Sequence, residues 1–133
     1  MRLPLALLAV TALPLVAGPA AAQGRWKEIG KTSVGNPVLL DPKSVKKADG
    51  IITATVRVTF VTPVATPQGP LAGSRTVAMF DCAKRVVAVK ENTYYHDQAQ
   101  KKVYQHTAPK VPGYTSPIKG TLPDVAMQYL CAQ

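Results

Sequence analysis

A ten-residue alternation of apolar and polar side chains, IITATVRVTF at residues 51–60, constrains the fold of this chain most. The residues that would share one face of an extended strand are apolar: Ile52, Ala54, Val56, Val58 and Phe60. The other face would carry three threonines and Arg57. Alternation of this kind, rich in β-branched residues, predicts a half-buried antiparallel strand.

Further strand-like runs surround this one. The predicted strands are residues 25–32 and 37–41, split by a Gly-Asn-Pro turn, and 74–82 and 84–96, split by a tight connection near Ala83. Asp49-Gly50 marks another turn before the alternating run. The proline-rich segment 61–73 predicts a loop, and the irregular stretch after His106 predicts another.

Residues 94–106, YYHDQAQKKVYQH, predict a hairpin with a polar tip. A turn centred near Ala99 would place His96 opposite Lys102 and His106 opposite residues near Thr93. The two histidines would then lie about 10 Å apart along the strand. Zinc ligands sit about 2 Å from the metal, so we expect no metal site here. Aromatic cross-strand packing explains the tyrosines.

The segment TLPDVAMQYLC, residues 121–131, predicts a helix. Thr121 is the expected N-cap, and Asp124 would complete an approximate capping box. The apolar stripe that should lie on a sheet consists of Leu122, Val125, Ala126, Tyr129 and Leu130.

The first 22 residues predict a cleaved export signal. Arg2 precedes an apolar stretch, and Ala20-Ala21-Ala22 fits the small-residue rule for cleavage. No cysteine stands at this site, so we expect no lipid anchor, and we expect no transmembrane segment after cleavage. The mature chain would be residues 23–133, a single domain by length.

Cys82 and Cys131 both lie in the predicted mature chain, 49 positions apart. An exported chain with two thiols most economically forms one disulfide. There is no CxxC sequence and no histidine beside either cysteine, so we expect a structural bridge and not a metal or catalytic site.

Short sequence features, in this order, resemble the surface-adhesin protein E family. They are Trp26, Leu40-Asp41 followed by Ser44-Val45, Gly50, Ser74, Asp81-Cys82, Arg85, Tyr94 or Tyr95, Gly120-Thr121 and Cys131. The resemblance implies an α+β fold: a curved antiparallel sheet of about six strands, with one C-terminal helix on its concave face, tied there by the disulfide. It also implies binding to host matrix or plasma proteins.

The mature chain is strongly basic, with 15 lysines and arginines against 7 acids. Residues 84–119 hold seven of these basic residues and two acids. We expect any binding to use this region, through Lys84, Arg85, Lys101, Lys102 and Lys110, with the two lysines at the hairpin tip exposed. An anionic envelope polymer or an acidic host glycan fits such a surface. A merely solvated basic surface that keeps the chain soluble is the alternative.

Catalysis, cofactors and nucleic acid are not indicated. The two histidines and seven acids follow no catalytic, phosphate-binding or zinc-protease spacing. No recognised nucleic-acid module is present. The sequence therefore predicts an exported, non-catalytic binding protein of the bacterial envelope or surface, adhesin-like in function. The alternative is a soluble periplasmic protein that binds a small ligand or has a structural role in the envelope.

We predict that the mature protein begins at Gln23, because the small-residue cleavage site ends at Ala22. N-terminal sequencing of exported material checks this. Recovery of exported protein that retains Met1 would contradict it.

Overall fold

The computed structural model describes residues 25–133. The predicted export signal at residues 1–22 lies outside them. Between residues 25 and 133, eight strands and one α-helix follow in chain order: β1 Lys27–Lys31, β2 Pro37–Leu40, β3 Lys46–Ala48, β4 Ile51–Thr66, β5 Gly69–Asp81, β6 Val86–Tyr95, β7 Val103–Thr107, β8 Tyr114–Thr115 and α1 Leu122–Cys131. A short 3-10 helix, Pro42–Ser44, links β2 to β3.

The strands form one antiparallel sheet in the order β1-β2-β4-β5-β6-β7. The two short strands lie off this path, β3 beside β4 and β8 beside β6. The prediction of an α+β fold with a sheet of about six strands and one C-terminal helix is therefore confirmed. The two extra strands are three and two residues long, too short to show an alternating pattern.

The hydrophobic core lies between α1 and one face of the sheet. The predicted apolar face of β4 is buried there together with Val38 and Leu40 of β2 and Phe80 of β5. Phe80 and Met127 are the two largest side chains that are completely buried. Burying a side chain of this size contributes about 1.5–3 kcal/mol, so both residues stabilise the packing of α1 on the sheet.

Helix α1 faces three strands, β1, β2 and β4. Its buried residues are Leu122, Ala126, Met127 and Leu130. Met127 was not in the predicted stripe, because a helix that contacts three strands buries a wider face than the i, i+3, i+4 pattern describes. Gly30 allows β1 to approach this closely, since a Cβ atom there would lie 2.8 Å from Val125.

The predicted capping box of α1 is wrong in detail. Thr121 is the N-cap residue, but its hydroxyl donates to the Ile118 carbonyl at 2.6 Å. The Asp124 carboxylate accepts instead from the Gly120 N–H at 2.8 Å. Because the Thr121 hydroxyl bonds to the turn before the helix, it does not cap α1. The Asp124 carboxylate therefore bonds to Gly120, the residue that precedes the N-cap.

The predicted loop at residues 61–73 is also wrong, because β4 and β5 continue through it as a two-stranded arm. Thr66 pairs with Gly69, and the Thr66 hydroxyl donates to the Gly69 carbonyl at 2.6 Å. Proline is tolerated in a strand at an edge or a bulge. Pro63 lies where the β4–β5 register shifts, and Pro70 lies where no third strand is paired. At both positions the sheet does not require a backbone N–H donor, which proline lacks.

The predicted disulfide is confirmed. Cys82 directly follows β5, Cys131 ends α1, and their Cα atoms lie 5.5 Å apart. The bridge therefore joins the end of the helix to a central strand, across the core that both elements bury.

We predict that Cys82→Ser or Cys131→Ser lowers the free energy of unfolding by about 2–5 kcal/mol, because the unfolded chain gains the freedom of a long loop. Denaturant unfolding of the purified, oxidised protein measures this. The double variant serves as the control. It should lose no more than either single variant, since one substitution already removes the bridge. Thiol labelling of both cysteines in the native, non-reduced protein would contradict the Cys82–Cys131 pairing.

Candidate functional site

The face of the sheet opposite α1 carries a row of polar and basic residues. Strand register places Arg57 of β4 opposite Arg75 of β5, Arg75 opposite Thr93 of β6, and Thr93 opposite His106 of β7. Residues paired in this way point to the same side of a sheet. We call these four residues the cationic row and this side the open face, because α1 covers the other one.

Arg57 anchors one end of the cationic row. Its Cζ atom lies 4.5 Å from the centroid of the Trp26 ring, a cation–π contact. Its Nε atom is buried and has no hydrogen-bond partner among residues 25–133. Burial, followed by the positive charge of Arg25, lowers the pKa of Arg57 below its usual value. A guanidinium nevertheless stays charged in a protein at neutral pH.

The positive charge of the row has no acidic partner in the described part of the chain. The one ion pair among residues 25–133 joins Arg25 to Asp41 at 2.8 Å. Glu91 lies on the open face opposite Val77 and forms no ion pair with Arg75, which is exposed. Like charges placed directly opposite each other destabilise a sheet. The Arg57–Arg75 pair is therefore an unfavourable arrangement for the isolated fold.

At the other end of the row, a hydrogen bond joins two of its side chains. The Thr93 side chain is buried, and its hydroxyl forms a 2.7 Å hydrogen bond with Nδ1 of His106. His106 itself is exposed. This bond holds the imidazole on the surface of the sheet, two strands away from Arg75.

The basic residues predicted to bind a partner do not form one patch, although all are exposed. Lys84 and Arg85 lie in the β5–β6 turn, whereas Lys101 and Lys102 lie in the β6–β7 turn. The ten residues of β6 separate these turns by about 30 Å. Lys110 follows β7 in the loop before β8.

The cationic row lies closer to the hairpin tip than to the other turn. Thr93 lies three positions before His96, whose N–H bonds to the Lys102 carbonyl, which corresponds to about 10 Å along the strand. The exposed lysines of the tip and the arginines of the row thus belong to the same end of the molecule.

The predicted hairpin at residues 94–106 is confirmed. The His96 N–H donates to the Lys102 carbonyl at 2.8 Å, and His106 lies opposite Thr93. The His96 and Tyr104 rings meet edge to face with centroids 5.1 Å apart. Within residues 25–133, no group of three His, Cys, Asp or Glu side chains could hold a metal ion.

The hairpin tip has a structural task that the sequence did not reveal. The Gln98 amide donates to the Phe60 carbonyl at 2.7 Å, and the Gln100 amide donates to the Val58 and Ser74 carbonyls. His96 Nδ1 lies 2.8 Å from the Pro70 carbonyl oxygen. The tip therefore holds the base of the β4–β5 arm, which no other paired strand supports.

A groove lies on the covered side of the sheet, beside the start of α1. This groove has a volume of about 730 Å³, and no charged side chain lines it. Its floor is polar: Ser74 and Thr76 are buried, and Thr76 donates to Asn92 at 2.7 Å. Tyr94 and two prolines form its walls. A neutral small molecule would suit such a groove.

None of the helices formed by residues 25–133 has the length and apolar character needed to span a bilayer.

Comparison with known proteins identifies the family of this sequence and supports its fold. The family model described as Surface-adhesin protein E matches residues 26–132. Haemophilus influenzae protein E in crystal form II is similar in structure, with a TM-score of 0.55 and 16% identity, covering 93% of this chain and 97% of that one. A second structure of Haemophilus influenzae protein E gives a TM-score of 0.52, also at 16% identity, over 92% and 91% of the two chains.

Protein E from non-typeable Haemophilus influenzae is similar as well, with a TM-score of 0.51 at 15% identity, covering 92% of this chain and 82% of that one. At these identities the structural likeness shows the fold. No curated protein sequence matches this chain significantly.

Asp97 at the hairpin tip generates a prediction about pH. The Lys102 N–H donates to its carboxylate at 2.8 Å, and the Lys101 N–H donates at 3.1 Å. These bonds, the one from Lys102 first, lower the pKa of Asp97 below the ordinary value of 3.8. The stabilisation of the turn is therefore fully present above pH 3.8 and is lost as the pH falls through the folded pKa.

We expect Asp97→Asn to loosen the turn at neutral pH and to abolish this pH dependence, with Asp49→Asn, in the β3–β4 turn, as the control. NMR titration of the Lys102 amide resonance measures both effects. A Lys102 resonance that shifts with acid as much in Asp97→Asn as in the original protein would contradict the assignment.

Proposed function

This chain belongs to the surface-adhesin protein E family, and on that basis we propose that it is an exported, non-catalytic binding protein of the bacterial envelope or cell surface. Its partner would be a host matrix or plasma protein, or an anionic polymer of the envelope. The family match over residues 26–132 is the observation that carries this proposal.

The distribution of charge supports a binding role. Two arginines face each other on the open face without an acidic partner in the described chain, and two lysines at the nearby tip are exposed. Positive potential of this kind increases the rate of encounter with an anionic partner. A partner that contacts both the tip and the row would neutralise charges that the fold leaves unbalanced.

The arrangement of nucleophiles and bases supports the absence of catalysis. Both cysteines are held in the disulfide. Thr93 and His106 form a hydroxyl–imidazole pair, but the hydroxyl is buried and no described carboxylate is bonded to the imidazole. Nucleophilic catalysis needs an accessible hydroxyl and a third group that orients the base.

A second candidate function is the binding of a neutral small ligand by a soluble periplasmic protein. The groove lined by Ser74, Thr76, Asn92 and Tyr94 favours it, since it is concave and offers a few polar groups within apolar walls. Surface labelling of intact cells separates the two candidates. Labelling of intact cells supports the adhesin, and recovery with the soluble periplasmic fraction supports the small-ligand protein.

We predict that binding to an immobilised matrix protein or envelope polymer weakens as the salt concentration rises, because salt screens charges over about 8 Å at physiological strength. Neutralising Lys84, Arg85, Lys101, Lys102 and Lys110 to Gln should weaken it by about tenfold or more. The sheet should stay folded, since all five side chains are exposed.

Two smaller variants then locate the contact. Lys101→Gln/Lys102→Gln and Lys84→Gln/Arg85→Gln each remove two charges, from opposite ends of β6. Surface plasmon resonance at several salt concentrations compares them. Equal affinity for the five-residue variant and the original protein, with no salt dependence, would show that the charges only keep the protein soluble.

A further inference from the structure

We propose that the cationic row binds an acidic polysaccharide, a linear glycan that carries sulfate or carboxylate groups. This inference rests on the proposed binding function and specifies its site and the chemical class of its ligand. The site consists of Arg57, Arg75 and His106, with Trp26 packed against the first of them.

The pair of arginines identifies the ligand as an anion. Arg57 and Arg75 are direct neighbours across two strands, so their Cα atoms lie about 4.5–5.5 Å apart. Guanidinium groups bind sulfate and carboxylate through two parallel hydrogen bonds. Neither side chain forms a hydrogen bond with any residue from 25 to 133. The exposed side chain of Arg75 is therefore available, Arg57 adds its positive charge beside it although its Nε is buried, and an anion would relieve the repulsion between the two.

The shape of the open face identifies the ligand as an extended chain. The row crosses the four adjacent strands β4, β5, β6 and β7, a distance of about 14 Å. It lies on the surface of the sheet and not in the groove, which is on the other side. Lys101 and Lys102 lie about 10 Å from Thr93 in the direction of β6, to one side of the row, where they would meet anionic groups of a chain that bends towards the hairpin tip.

The residues around the row favour a glycan over a nucleic acid. Thr53, Thr55 and Thr59 of β4 share the open face with Arg57 and are partly exposed. Their hydroxyls can both donate to and accept from a hydroxyl-rich sugar chain. Single-stranded nucleic acid is held by free aromatic faces on which bases stack. The ring of Trp26 is instead in contact with the guanidinium groups of Arg57 and Arg25.

The experiment uses the fluorescence of Trp26, which is the single tryptophan of the chain. Heparin oligosaccharides are titrated into the exported protein, with neutral dextran as the uncharged probe. We expect heparin to change the Trp26 emission in a saturable way and dextran to leave it unchanged. Because Arg57 contacts the ring, emission reports on the site itself.

Three variants test the assignment. Arg75→Gln removes an exposed side chain that makes no hydrogen bond, and Arg57→Lys keeps the charge but loses the planar fork. Each should weaken heparin binding by about tenfold, the loss of one charge-assisted pair. The control, Lys27→Gln/Lys47→Gln, removes two charges whose register places them on the covered side. It should weaken binding less than twofold.

Three results would overturn the assignment. Unchanged affinity in both Arg75→Gln and Arg57→Lys would show that the row is not the site. An equal loss in the control would show that heparin responds to net charge alone. If single-stranded DNA binds as tightly as heparin, the site recognises polyanions in general and has no specificity for a glycan. Attachment of the same variants to the immobilised protein partner is measured in parallel. If the original protein attaches to the immobilised partner but does not bind heparin, the adhesin proposal stands and the glycan site does not.

Discussion

The contact between α1 and the apolar face of the sheet is the interaction on which the rest of the structure depends. Ile52, Val56 and Phe80 have no other layer to cover them, and the helix buries them together with its own Met127. The Cys82–Cys131 bridge fixes the end of the helix over that core. Because one face is covered so completely, the other face is free to carry charge. The cationic row is thus a consequence of a two-layer fold with a single helix.

Much of this fold could be predicted from the sequence, where one local pattern was strong. The alternation at residues 51–60 predicted the central strand and both of its faces, and two cysteines in a chain expected to be exported predicted the bridge. The arm at 61–73 could not be read, because three prolines indicate a loop unless a bulge and an unpaired edge accommodate them. Met127 was missed because the width of the buried face depends on how many strands the helix contacts.

The candidate site was less accessible to sequence reasoning. Arg57 and Arg75 stand 18 positions apart, and only strand register makes them neighbours. Both lie on the polar side of predicted strands, but neither falls within 84–119, where the basic residues are dense in sequence. Basic residues that are close in the sequence are not close in the structure, because Lys84 and Lys102 lie in the turns at opposite ends of β6. His96, Gln98 and Gln100 of the hairpin hold the base of the β4–β5 arm, whereas His106 belongs to the cationic row.

The central claim is that the open face binds an anionic partner through charges that the fold leaves unpaired. NMR chemical-shift mapping with a heparin oligosaccharide tests it most directly, because it needs no substitution. The account predicts that the amide shifts concentrate at Arg57, Arg75, Thr93 and His106 and extend to Lys101 and Lys102. Shifts spread evenly over all exposed lysines, or confined to the groove around Thr76 and Asn92, would contradict it.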